Sequence, residues 1–224
     1  KVKNEFDYSL SDRKAIYVPY TGALPNVPVI DKKTCLRFEG QNTGPQKEAF
    51  DAGLITREEY ERFKNQDCKR CKEACMFDAI NYEDTDEILE RNVGGIIAAT
   101  GFELFDPSVL PQYGYGKIPE VYTSLEFERI LAQTGPTGGK LLTKNAKEPE
   151  SVAIIHCIGS RDKDYKDYCS SVCCLYALKF AHMIEKHSPE VKVYDIYADW
   201  CVPGKDNQAF LDSIKEWKNI EFIH

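Results

Sequence analysis

The chain has 224 residues, 42% of them hydrophobic and 29% charged, with 29 Lys plus Arg against 36 Asp plus Glu for a net charge of −7. That length and composition suit one large or two small folded domains and exclude a disordered polymer. The acidic balance excludes a broad basic face for nucleic acid, and no apolar run approaches the roughly 20 residues of a membrane-crossing helix.

In chain order, residues 1–34 read as loops with short extended pieces, Ala15-Ile-Tyr-Val18 and Val29-Ile-Asp31, set among Pro19, Pro25 and Pro28. Residues 40–50 read as a Gly/Pro loop, and 56–64 as a helix opened by a capping box at Thr56 and Glu59. A compact knot is expected from Cys68 to Cys75, and a strand at Ala79-Ile-Asn-Tyr82. After the acidic stretch 83–90, Gly94-Gly-Ile-Ile-Ala-Ala-Thr-Gly101 reads as a buried strand ending in a tight turn. A helix follows, capped by Ser124 and running through Leu125, Phe127, Ile130 and Leu131, with a Gly/Pro/Lys loop at 134–150.

From 151 the pattern becomes regular. A buried strand at 151–157 precedes a helix from Ser170 and Ser171 to about Lys186, with Val172, Leu175, Leu178 and Met183 on one side. A strand at 191–197, a helix at 207–218 and a last strand complete the order β-α-β-α-β, which predicts a parallel, doubly wound sheet. The expected organisation is a cysteine-rich region at 1–90, a connector at 91–150 and an α/β domain at 151–224. The start without Met and the end on Ile220-Glu-Phe-Ile-His224 lead us to expect a piece of a longer protein.

Nine cysteines do not suit a secreted disulfide framework in so long a chain, and the polar start Lys1-Val-Lys-Asn-Glu5 is no signal peptide. The expected location is cytoplasmic and the expected use of the thiols is metal binding. Cys68-x2-Cys71-x3-Cys75 brings three soft thiolates to one turn, and Cys35 lies 32 residues upstream. The spacing is close to the ferredoxin run C-x2-C-x2-C-x3-C-P, whose last cysteine commonly serves a neighbouring cluster. Cys75 therefore either completes a site with Cys35, Cys68 and Cys71 or reaches toward another cluster; Met76 stands where the proline would be. A zinc knuckle or plain buried thiols are the competing readings.

The second group is Cys157-x11-Cys169-x3-Cys173-Cys174. Cys157 ends a strand and the other three gather at a helix start, where unpaired N–H groups and the positive helix end favour thiolate. Adjacent cysteines point in different directions, which suits different irons of one cubane better than one tetrahedral zinc. Thiol–disulfide chemistry at Cys173 and Cys174 is the competing reading. Ser160, Arg161 and Ser170 are expected to tune the site, His156 to pack rather than ligate, and Cys201 to be structural.

The stretch ending at Thr100 and Gly101 is similar to the end of an FAD-binding domain, although no G-x-G-x-x-G fingerprint is present. Gly135-Pro-Thr-Gly-Gly-Lys140 fails the P-loop pattern, because Thr134 takes the first glycine position and Leu141 follows the lysine.

Nearly the whole chain resembles the A-type component of heterodisulfide reductases. The resemblance rests on Arg13-Lys-Ala-Ile-Tyr-Val-Pro-Tyr20, Ala23-Leu-Pro-Asn-Val-Pro-Val-Ile-Asp31, Cys68-Lys-Arg-Cys-Lys-Glu-Ala-Cys75 and Ile97-Ala-Ala-Thr-Gly101. It continues through Tyr113-Gly-Tyr-Gly-Lys117, Thr123-Ser-Leu-Glu-Phe-Glu-Arg129, Cys157-Ile-Gly-Ser-Arg-Asp162 and Tyr168-Cys-Ser-Ser-Val-Cys-Cys174. It departs at Met76 and at Ala198-Asp-Trp-Cys-Val-Pro203. The resemblance implies a ferredoxin-like cysteine region joined to a thioredoxin-reductase-like flavoprotein fold. It also implies [4Fe-4S] clusters, two of them on this chain, and FAD in the full-length protein bordered by Thr100 and Gly101. Electrons would pass between that flavin and partner redox subunits. A zinc-stabilised interaction module and a thiol–disulfide domain are the alternatives.

Overall fold

The structure, a computed structural model, describes residues 2–20, 22, 24, 26–35, 37–38, 44–64 and 68–224. They fall into two compact units, Lys1–Phe6 with Asp12–Gly101, and Asp7–Ser11 with Phe102–His224.

In the first unit β1 (Val2–Lys3) pairs antiparallel with β2 (Asp12–Arg13), and β3 (Ile16–Tyr17) with β4 (Val29–Ile30). These include the extended pieces expected on either side of the proline-containing stretch, of which Pro25 lies outside the described residues. Arg13 ties the pairs together: its guanidinium lies 2.9 Å from Asp31 and 3.5 Å from Glu5, and 4.1 Å above the Tyr17 ring. Burial opposes ionisation of Asp31, but the Arg13 hydrogen bond and the Lys33 N–H hold its carboxyl below the usual range.

Helix α1 (Gly44–Asp51) replaces the later part of the expected Gly/Pro loop, whose residues 40–43 lie outside the described ones. Pro45 falls in its first turn, where the missing N–H has no intrahelical partner to lose. Helix α2 (Arg57–Lys64) carries the expected capping box, with Thr56 Oγ1 accepting from the Glu59 N–H at 3.2 Å and Thr56 N–H donating to Glu59 Oε2 at 2.9 Å. A short helix α3 (Arg70–Ala74) holds Cys71.

Two expected strands are not strands. At 79–82 the Asn81 side chain captures the backbone: its Oδ1 accepts from the Glu83 N–H at 3.0 Å, an Asx turn that ends extension. Residues 94–101 have no regular secondary structure and are exposed, with Ile96 88% and Ile97 94% accessible. An apolar run becomes a buried parallel strand only when flanked by other strands, and none of the described strands pairs with it. Among the described residues, every fully buried apolar side chain belongs to the second unit.

That unit opens with 3-10 turns at Pro107–Val109 and Pro111–Tyr113 and then α4 (Ser124–Leu131). The cap of α4 is Thr123 rather than Ser124: its Oγ1 accepts from the Glu126 N–H, and its own N–H donates to Glu126 Oε2 at 2.6 Å. Next come β5 (Ser151–Ile155), α5 (Cys173–His187), β6 (Lys192–Ile196), α6 (Lys205–Lys215) and β7 (Ile220–Ile223). The three strands form the expected parallel sheet, in the order β5-β6-β7. Its winding differs from expectation. Both crossovers step the same way, so right-handed connections put both helices on one face. Leu178 of α5 accordingly packs with Leu211 and Ile214 of α6. Farther along α5, Phe180, Ala181 and Ile184 meet Val191, Val193 and Leu131.

Helix α5 starts at Cys173, later than expected, because Ser171 has φ +60° and breaks the helical path. Its buried stripe is Cys174, Ala177, Leu178, Ala181 and Ile184, the i, i+3, i+4, i+7 pattern continued by three. Of the residues expected to share a face, Val172 is exposed and only Leu178 reaches the deep core.

Helices α4 and α5 are joined by Glu128, which accepts from Lys179 Nζ at 2.8 Å and from the Tyr176 hydroxyl. Burial opposes its charge, yet these donors hold the carboxyl below the usual range. A depressed folded pKa means the contribution is full above the unfolded value, about 4.3, and is lost as pH falls through the folded one. Both side chains are over a third exposed, so the loss is expected to be under about 1 kcal/mol. Urea midpoints measured against pH should fall less steeply below about pH 4.3 in Glu128→Gln; identical slopes would refute the coupling.

Candidate metal centres

The C-terminal edge of a parallel sheet is where loops converge and ligands are commonly held. Here the loops after β5 and β6 enclose a cavity of about 160 Å³ lined by Cys157, Arg161, Cys169, Cys174, Asp199, Trp200 and Cys201. The sequence builds this place by folding the eleven-residue spacer back on itself. Cys157, Gly159 and Arg161 all have φ between +57° and +72°, which turns the chain sharply just past the strand. Gly159 is required, since a Cβ there would sit 2.5 Å from the Phe105 ring. Lys166 N–H then donates to the Gly159 carbonyl at 3.2 Å, Asp162 N–H to that of Lys166 at 3.0 Å, and Arg161 N–H to that of Tyr168 at 3.2 Å. This closed loop returns Cys169 to Cys157.

Each sulfur has a defined setting. Cys169 Sγ accepts from the Ser171 N–H at 3.3 Å, and Cys174 Sγ from the Cys201 N–H at 3.4 Å. Cys173 and Cys174 are the first two residues of α5. Burial raises the Cys174 thiol to about 11, with the Cys201 N–H working in the opposite direction. Burial and the nearby Cys173 also raise Cys157, against the pull of the Arg161 guanidinium. At Cys157 and Cys174 the neutral thiol is thus favoured even beside the Arg161 guanidinium. A bound metal centre would reverse that balance, since it binds thiolate. Arg161 also pairs with Asp199 at 2.6 Å.

The donor set is rich in thiols, which suit soft-metal centres, iron–sulfur clusters and zinc among them. A structural zinc has Zn–S of about 2.3 Å, which draws its sulfurs to roughly 3.8 Å of one another and leaves no cavity. Among the described residues no three His, Cys, Asp or Glu side chains are grouped to hold one metal ion. Thiols ranged around an open cavity, with a guanidinium and N–H donors aimed at sulfur, are what a larger anionic centre needs.

His156 stands beside this site without lining it. It is buried between Trp200, with ring centres 5.4 Å apart, and Asp195, whose Oδ1 lies 3.0 Å from Nε2 but is poorly aligned for a hydrogen bond. It packs, as expected. Of the expected tuning residues only Arg161 lines the cavity; Ser160 and Ser170 do not.

The first cysteine group is held by different means. The Cys35 N–H donates to the Asp31 carbonyl at 2.9 Å, which hangs this cysteine on the turn fixed by Arg13. Cys71 Sγ lies 3.1 Å from the Tyr82 hydroxyl, and Cys75 Sγ accepts from the Ala79 N–H at 3.4 Å. Arg37 lies 4.3 Å above the Tyr82 ring and Phe38 meets it edge-on at 6.4 Å. Tyr82 thereby joins the segment after Cys35 to the helix bearing Cys71. Burial and the Cys71 hydrogen bond push its phenol up to about 12. Cys68, Cys71 and Cys75 share one short stretch, and Cys35 is linked to it through Tyr82 rather than by a hydrogen bond between sulfurs. Thr100 and Gly101 lie at the end of the exposed 94–101 stretch, Gly101 with φ +82°.

The whole chain is 37% identical to the iron-sulfur A component of the CoB–CoM heterodisulfide reductase of Methanocaldococcus jannaschii, matching 30% of its length. It is 34% identical, again over its whole length and 30% of the relative, to the A component of the H2:CoB-CoM heterodisulfide,ferredoxin reductase of Methanothermobacter marburgensis. The chain is a relative of the heterodisulfide reductase A components. A third, from the ferredoxin/F420H2-dependent CoB-CoM heterodisulfide reductase of Methanosarcina acetivorans, is 33% identical over the whole chain and 24% of its own length. The chain thus spans about 30% or less of the A components it matches. No family model matches it.

Three residues at these sites were not singled out from sequence: Tyr82, Trp200 and Asp199, and Cys201 was assigned a structural part only. Position was the available signal for the last three, since Asp199-Trp-Cys201 directly follows a parallel strand, where ligand-holding loops arise. No helix among the described residues is long and apolar enough to cross a membrane.

Proposed function

We propose that this chain is an electron-relay portion of an iron–sulfur oxidoreductase of the heterodisulfide reductase A type. The observation that carries the reading is the thiol-lined cavity at the end of the parallel sheet. Cys157, Cys169 and Cys174 on its wall, with Cys173 beside Cys174 at the start of α5, hold one [4Fe-4S] cluster, and Cys35, Cys68, Cys71 and Cys75 hold a second in the cysteine-rich region at 1–90. Such clusters, when bound, accept and release single electrons without acid, base or nucleophile from the chain. The protein's own part is to supply thiolates, to aim N–H groups at the sulfurs and to offset the negative charge with Arg161.

The lack of a buried apolar core among the described residues of the first unit supports the same reading, because a thiol-bound centre can provide the folding free energy that packing does not. So does the name of the Methanocaldococcus jannaschii relative, an iron-sulfur component of its reductase. In the full-length protein, Thr100 and Gly101 would border FAD, with 91–150 as the end of a thioredoxin-reductase-like flavoprotein domain and connector, and 151–224 as the α/β domain carrying the cluster at Cys157, Cys169, Cys173 and Cys174. Electrons would run between that flavin and partner redox subunits in the cytoplasm.

Protein purified anaerobically with iron and sulfide supplied should be brown, absorb near 400 nm and contain about eight irons and eight sulfides per chain, with cubane EPR signals on reduction. A colourless protein containing zinc would overturn the proposal in favour of an interaction module, and two titratable thiols at Cys173 and Cys174 with no metal would favour thiol–disulfide chemistry.

A further inference from the structure

Two charged residues line the cavity beyond the sheet, Arg161 from the loop after β5 and Asp199 from the loop after β6. Their side chains are 39% and 68% exposed, whereas Cys174 on the same wall is 2% exposed. Residues that border both the cavity and water stand at its mouth. These two stand there from opposite walls, joined at 2.6 Å.

The backbone on either side of the mouth has little freedom. Arg161 has φ +58°, and its N–H donates to the Tyr168 carbonyl at 3.2 Å. On the facing loop the Cys201 N–H donates to Cys174 Sγ at 3.4 Å. Beside it Trp200 stacks on Tyr197 with ring centres 4.5 Å apart and meets Phe222 edge-on at 5.5 Å. What can move at the mouth is therefore the two side chains, and Arg161 is the longer, with a flexible aliphatic stem.

We propose that the Arg161 side chain is a gate across the mouth of this cavity, pinned shut by Asp199. Closed, the guanidinium lies between solvent and the Cys174 thiol. Opening breaks the ion pair and leaves both backbones where they are. An ion pair this exposed is weak, so the gate slows entry about two- to fivefold rather than sealing the site. It guards the thiols themselves, and so operates whether they hold a metal centre or take part in thiol–disulfide chemistry.

The test uses the full chain, reduced and metal-free, as wild type, Asp199→Asn, Asp199→Glu and Glu128→Gln. Each is treated with iodoacetamide, and alkylation of Cys174 is followed by peptide mass mapping relative to the exposed Cys169 of the same sample. Circular dichroism verifies folding. Raising NaCl from about 0.05 M to about 0.5 M should increase the wild-type ratio about two- to fivefold, because salt screens the exposed pair. Asp199→Asn should start at the raised ratio and show no salt response. Asp199→Glu keeps the charge, and Glu128→Gln removes the exposed pair with Lys179 instead, so both should follow the wild type. The proposal is overturned if the wild-type ratio is indifferent to salt, or if folded Asp199→Asn matches the wild type at low salt. It is also overturned if Asp199→Glu or Glu128→Gln opens the site as far as Asp199→Asn does. None of these readings depends on iron content, so failure of the gate is distinct from failure of the cluster assignment.

Discussion

Cys169→Ala is expected to stay folded and to have about four fewer irons and four fewer sulfides per chain than the wild type. The two halves of that outcome have separate causes. Cys169 is exposed and packs against no core residue, so its removal leaves no cavity in the α5–sheet interface. Its sulfur is nonetheless positioned deliberately, by the Ser171 N–H at 3.3 Å and by the folded-back spacer that brings it to Cys157. A cubane deprived of one of four thiolates has an open iron corner and degrades. The measurement is anaerobic iron and sulfide analysis beside a thermal melt. Unchanged iron would sink the assignment, and iron lost together with the melting transition would make Cys169 merely structural.

The second large effect concerns the unit formed by Lys1–Phe6 and Asp12–Gly101. Stripping metal with a chelator should make it cleavable, whereas the unit containing the parallel sheet should resist. The contrast follows from what holds each together. In the sheet unit Leu178, Ala181, Ile184, Leu211 and Ile214 are all at 0–1% exposure. In the other, the fixed points are the Arg13 ion pairs, the α2 capping box and the Tyr82 contacts, none of them a packed apolar interior. Cleavage by a low level of protease should accelerate at least about tenfold within 12–101, equivalent to about 1.4 kcal/mol or more of lost opening free energy. Equal cleavage rates before and after stripping would show that this unit stands without metal.

The alternation that predicted β5-α5-β6-α6-β7 was legible because period-2 and period-3.6 patterns switch cleanly after residue 150. The direction of winding was not, since strand order depends on where each crossover returns and no local pattern records it. The run at 94–101 shows the same gap. An apolar stretch states that it could be buried, but burial needs neighbouring strands, and the described residues provide none. Cap positions were off by one or two residues where a hydroxyl neighbour competed, as with Thr123 against Ser124, or where Ser171 took a left-handed conformation. Of the second cysteine group, assembled by spacing, the structure brings Cys157, Cys169 and Cys174 to one cavity, because a loop of fixed length returns Cys169 to Cys157. Spacing could not reveal Cys201, which reaches the same place from a different loop.

The three left-handed residues that follow β5 have a consequence for how fast charge can come and go. Cys157 at φ +57° and Arg161 at +58° are conformations that side-chain-bearing residues leave when free to do so, and here the ladder from Gly159 to Tyr168 prevents it. A wall so constrained has a single shape in either charge state. On the proposed electron-relay reading, the dipoles that would face an arriving electron are therefore already aimed, and little of the driving force would be dissipated in rearranging them.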